Sequence, residues 1–288
     1  MDLLHLIRLA ITASVLLLAF ALGLRATAEE ATYLVRRPAR FARALLAMFV
    51  IVPATALFLA KAFEFHRPVE IALLAVAVSP VPPILPGKQL KLGGRAAYVY
   101  GLLIAMSVAA IVVVPLAVRV LGRLFRLETD IPFAEVAKLL GITVLAPVVG
   151  GLLVRRVAPG LAERVGPIAS TLGTVLLVAG LLPVLVKSLP AIWALVGNGT
   201  ILAMAAVVAV ALAAGHALGG PFPADRRSLA IASSMRHPGI ALAIARLNFP
   251  EEILVPAAVL LFVLLATIAT SAYGKRYTGA PDGLTVQG

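Results

Sequence analysis

Cysteine is missing from all 288 residues, which removes disulfide frameworks, thiolate metal sites and thiol nucleophiles together. Histidine is scarce as well: the four present are scattered, without metal-ligand spacing. Acidic residues number 13 against 25 basic ones, and none lies in the middle of an apolar run; Glu70 and Glu135 stand near the ends of theirs. An intramembrane carboxylate pair for acid–base chemistry is thereby excluded. There is no glycine-rich phosphate loop and no nucleophile elbow. No enzyme, metal or cofactor is expected.

What the chain has in abundance is hydrophobicity. Apolar residues make up 61% of it, with a mean hydropathy of +1.05, against about 45–50% in an ordinary soluble domain. The expectation is an all-α membrane protein. A formal charge of +12 would suggest nucleic acid in a soluble protein. Here the arginines fall between apolar spans, so the positive-inside rule accounts for them and the partner is a lipid bilayer. Arg8, the run Leu9–Leu24 and Ala26-Thr27-Ala28 resemble a signal peptide with its cleavage site; we read the run as a retained first span.

Nine spans are expected: about Leu6–Leu24, Ala44–Phe63, Val69–Gly94, Ala96–Val118, Ile131–Val154, Pro167–Val186, Ala191–Leu218, Ser228–Leu247 and Ile253–Tyr273. The third and eighth are interrupted. After Ile71–Val78 come Ser79-Pro80-Val81-Pro82-Pro83-Ile84-Leu85-Pro86-Gly87-Lys88, where proline removes backbone donors and clashes one turn back. The second interruption is Ser233-Ser234-Met235-Arg236-His237-Pro238-Gly239. Free backbone at membrane depth is tolerated only inside protein or beside a water-filled cavity. A pair of broken spans in corresponding positions of two halves points to a transporter's binding site.

If the third span crosses, fifteen basic residues collect on one side, including Arg25, Arg36, Arg40, Lys88, Arg156 and Arg226. Eight, Arg126 among them, fall on the other. If it does not cross, the split drops to 13 against 10. The rule favours nine spans, Met1 outside and the C-terminus cytoplasmic, in a bacterial-type inner (plasma) membrane. Spans 2–4 and 7–9 repeat one order of elements at a displacement of five spans, which makes the repeats inverted.

The block Arg227-Ser228-Leu229-Ala230-Ile231-Ala232-Ser233-Ser234-Met235-Arg236-His237-Pro238-Gly239, followed by Ala241–Ala245 and Asn248-Phe249-Pro250, resembles the bile acid:sodium symporter family. Met235 and Gly239 fall on its pattern, and Pro53-Ala54-Thr55-Ala56 fits the order of its first half. The resemblance covers nearly the whole chain, less one N-terminal helix. It implies a core bundle (44–118 and 191–273), with broken helices crossing inside, moving against a panel (6–24 and 131–186). It also implies sodium ligands, and there the chain departs: the glutamate position reads Ala232, the glutamine position Arg236, and the Ser-Asn pair falls near Pro86-Gly87, beside Lys88. Cation sites want oxygen ligands, whereas these positions offer a guanidinium and an ammonium.

The expectation is therefore a secondary transporter of a small or amphipathic organic anion by alternating access. It would be sodium-independent, with Arg236, and Lys88 as a second candidate, in place of the ions. Alternatives are a sodium- or proton-coupled symporter and, in another class, a membrane sensor or passive channel. Candidate substrate residues are Arg236, His237, Lys88, Ser79, Ser233 and Ser234; the helix breaks are assigned to Pro80, Pro82, Pro83, Pro86, Gly87, Pro238 and Gly239. Each has a plainer reading. Arg236 could tie off carbonyls, Lys88 could be a loop lysine, His237 a cap, and the serines backbone partners.

Overall fold

The computed structural model describes residues 3–125 and 129–278; Met1 and Arg126, used in the orientation argument, lie outside the described residues. The described chain is helical, without strands. In order its helices are α1 (Leu3–Arg25), the short α2 (Ala28–Thr32), α3 (Pro38–Ala62), α4 (Arg67–Val78), α5 (Leu85–Lys91) and α6 (Ala96–Phe125). There follow α7 (Phe133–Val157), α8 (Pro159–Ala194), α9 (Thr200–Leu218), α10 (Pro223–Ser234), α11 (Pro238–Asn248) and α12 (Val255–Thr278). Seven of them, α1, α3, α6, α7, α8, α9 and α12, are long and apolar enough to cross a membrane. The others worth weighing are short: α4 and α10 have 12 residues each, α5 has 7 and α11 has 11. At about 1.5 Å per residue none reaches across a hydrocarbon layer of about 30 Å.

The proline-rich stretches do not break where every proline stands. Pro86 and Gly87 lie inside the first turn of α5, and Pro238 and Gly239 open α11. A proline in a helix's first turn loses nothing, because that N–H has no intrahelical partner. The first break is thus Ser79–Ile84, with Pro80, Pro82 and Pro83, and the second is Met235–His237. The sixth span is also longer than expected. It runs unbroken through Pro167, Pro183 and Pro190 to Ala194, so Ala191 belongs to α8, not to the following span. The chain turns at Leu195–Gly199, where Asn198 and Gly199 adopt positive φ (42° and 76°).

Packing sorts the helices. α1 lies against α7 and α8, and its contact with α7 is backbone to backbone. A Cβ on Gly151 would fall 2.4 Å from the Phe20 carbonyl oxygen, and one on Gly23 would fall 2.1 Å from that of Val148. α9 lies against α10 in the same manner, through Gly215 and Gly219. α12 packs on α4, α9 and α11. At the arginine-rich end Asp225, fully buried, receives Arg95 Nη2 at 2.6 Å and Arg40 Nη1 at 3.3 Å. Both guanidinium groups also donate to the Tyr33 hydroxyl. That junction ties the α2 region, α3, the α5–α6 connection and α10 together.

Candidate functional site

The two breaks meet. After Val78 the chain leaves the helix in extended conformation (Ser79 φ −73°, ψ 150°), and after Ser234 it does the same at Met235 (φ −102°, ψ 124°). The backbone N–H of His237 donates to the carbonyl of Pro80 at 2.8 Å. Each extended stretch thus satisfies part of the other's backbone where burial keeps water away.

Arg236 fills this crossing. It is 3% exposed, and its Nη2 donates to the Ala77 carbonyl at 2.8 Å and to that of Met48. Both carbonyls are free for chemical reasons. Ala77 sits in the last turn of α4, past which no N–H remains to complete its helical bond. Met48 lies in a π-helical turn, Leu46–Ile51. In such a turn the donor is five residues on, and here that residue is Pro53, which has no N–H. The guanidinium carbon stands 5.9 Å from the Phe49 ring centre. Its Nε and Nη1 have no hydrogen-bond partner among the described residues.

The other residues of the crossing are as buried. Ser79 Oγ donates to the Ala75 carbonyl at 2.8 Å, and Ser234 Oγ to that of Ile231 at 3.1 Å, the backbone-satisfying role serine commonly takes in apolar helices. Ser233 Oγ and both ring nitrogens of His237 have no partner among the described residues. His237 is the N-cap residue of α11 but makes no side-chain cap. Arg236, His237, Ser79, Ser233 and Ser234 are thus gathered at one place, and none of them lines the cavity that follows.

Lys88 is elsewhere. It lines a cavity of about 550 Å3 bounded by α1, α5 and α8. Its Nζ is held by two hydroxyls of α12, Thr270 Oγ1 at 2.6 Å and Ser271 Oγ at 3.2 Å. Arg25 and Lys91 line the same cavity, with Tyr100, Ser170 and Thr174, and among the described residues no carboxylate does. Three cations and the apolar side chains of Leu18, Leu22 and Ile84 line one cavity, a combination whose chemistry suits an amphipathic anion. Behind Lys88, the buried Gln89 donates from Nε2 to the Ser228 carbonyl at 2.8 Å and fastens α5 to α10.

Arg25, Lys91, Tyr100, Ser170 and Thr174 were not among the expected site residues. Lys91 could have been found, since it follows Lys88 by three positions and shares its helix face. Arg25 ends α1, where a basic residue needs no special role. No cluster of three or more metal-capable side chains occurs among the described residues. Residues 12–195 match the family model described as Sodium Bile acid symporter family, a stretch that contains the first break and ends before the second. No curated protein matches the chain.

Proposed function

Because the chain belongs to the Sodium Bile acid symporter family, it is an integral membrane protein of a transporter class, and we propose that it carries an organic anion without sodium. The observation that carries this reading is the cavity itself: three cations, no carboxylate among the described residues, and apolar walls at the seam between α1, α8 and α5. In the proposed mechanism the substrate's anionic group meets Lys88, Arg25 and Lys91, and its apolar body lies against α1. Nine spans are proposed, α4 with α5 and α10 with α11 each making one interrupted crossing. Helices α3–α6 and α9–α12 form the moving bundle and α1, α7 and α8 the panel. The separate packing of α1 on α7 and α8 supports this division.

Arg236 is assigned the place of a coupling cation, not of a substrate ligand. Its charge rests on carbonyls at the C-terminal end of α4 and in the π turn of α3, the kind of ligand that irregular helices offer to sodium. His237, Ser79, Ser233 and Ser234 are assigned to shaping the crossing around it. The test is uptake into proteoliposomes of a panel of amphipathic carboxylates and sulfonates, in sodium and in choline buffers at one pH. Saturable uptake equal in both is expected. A several-fold dependence on sodium would return the protein to the sodium-coupled class, and linear, unsaturable flux would make it a channel.

A further inference from the structure

Along the length of α4, sharing no lining residue with the basic cavity, lies a second one, of about 270 Å3, between α4, α6 and α11. Its walls are apolar: Ile71 and Leu74, Val118 and Leu121, Ile244 and Phe249. Four polar side chains reach it, and three are already engaged. Asn248 donates to the Ile244 carbonyl at 2.8 Å and accepts from the Asp130 N–H at 2.7 Å. Thr129 Oγ1 donates to the Val118 carbonyl at 3.1 Å. Arg67 Nε pairs with Glu252 at 3.0 Å. The fourth, Glu70, feels the charges of Lys61 and Arg67 but makes no hydrogen bond or ion pair among the described residues. The nearby Lys61 is itself spent on the Leu124 carbonyl and the face of Phe125.

We infer that this pocket binds a small amphipathic amine, with Glu70 taking the ammonium and the apolar walls taking the hydrocarbon. A half-buried carboxylate against such walls, near Lys61 and Arg67 but hydrogen-bonded to neither among the described residues, is the polar group still open to an incoming donor. A cation also suits it better than a second anion. The volume lies at the small end of ligand pockets, which fits one ring or a short chain and not a steroid-sized body. The site is distinct from the anion cavity in both place and charge, and it stands whether or not the anion reading does.

The experiment is thermal unfolding of the whole purified protein with three near-isosteric probes: 2-phenylethylamine, 2-phenylethanol and 3-phenylpropanoate. The amine alone is expected to raise the melting temperature saturably, and Glu70→Gln to weaken its apparent affinity at least about tenfold. Leu121→Trp, which fills the pocket and leaves Glu70 intact, should abolish the effect and so guards against a Glu70 variant that folds poorly. Equal stabilisation by the alcohol would overturn the proposal in favour of a purely apolar cleft. An amine effect that survives both substitutions would overturn it by placing the amine elsewhere.

Discussion

At the scale of single residues, the crossing depends on Arg236 for backbone satisfaction. Removing the side chain leaves the Met48 and Ala77 carbonyls buried without donors, at about 1–3 kcal/mol each. Arg236→Ala should therefore lower the melting temperature by several degrees. Arg236→Lys keeps the charge but loses the fork and should fall between. Wild-type melting temperature should be the same in sodium and choline; an alanine variant as stable as wild type would remove the arginine from its assigned role. Lys88→Ala is expected to behave in the opposite way. The residue lines the cavity, so anion affinity should fall about five- to tenfold while stability changes little, as titration of a fluorescent amphipathic carboxylate would show. Both residues were legible in the sequence, because a charge inside an apolar run is expensive and therefore informative. What Arg236 holds was not. Met48 is 188 positions away, and nothing in a π turn's sequence except its following proline announces a free carbonyl. Arg25 was hidden for another reason: at the end of a span a basic residue already has an ordinary explanation.

At the scale of elements, prolines carried three meanings that the sequence did not separate. Pro80, Pro82 and Pro83 stop a helix, whereas Pro86 and Pro238 begin one, and Pro167, Pro183 and Pro190 sit within a helix that continues. Neighbouring helices decide between these outcomes by restoring the freed backbone groups. Small residues, by contrast, mark places of close approach in α9, and the same rule governs α1 and α7. Gly151→Leu would force those two apart where the backbones touch, since the added side chain meets the Phe20 carbonyl and the Leu24 amide. Loss of most folded protein is expected on size-exclusion chromatography, with Gly150→Leu as the control. Gly150 is one residue away, yet an added Cβ there meets no atom nearer than 3.9 Å. Matching behaviour of the two variants would contradict the contact.

At the scale of the molecule, charge sets the orientation we propose. The arginine-rich end, with Asp225 holding Arg40 and Arg95, is expected to face the cytoplasm. With no native cysteine to interfere, single cysteines at positions 66 and 226 can be labelled with an impermeant maleimide. Labelling from opposite faces is expected, and labelling from one face would rule out nine spans. All-helical membrane architecture was plain from hydropathy alone. The two separate cavities were not, because each is assembled from helices far apart in the chain.

The position of Arg236 has one more consequence. A cation fixed to the polypeptide goes back with it on every cycle and is never delivered. Under the proposed function no ionic gradient is then spent, and the charge moved per turnover is the substrate's alone. For a monovalent anion across an interior-negative membrane, that is about 2.3 kcal/mol per 100 mV in the outward direction, roughly a fiftyfold bias at equilibrium. Such a carrier is an exporter by default, with the voltage of the membrane as its motor.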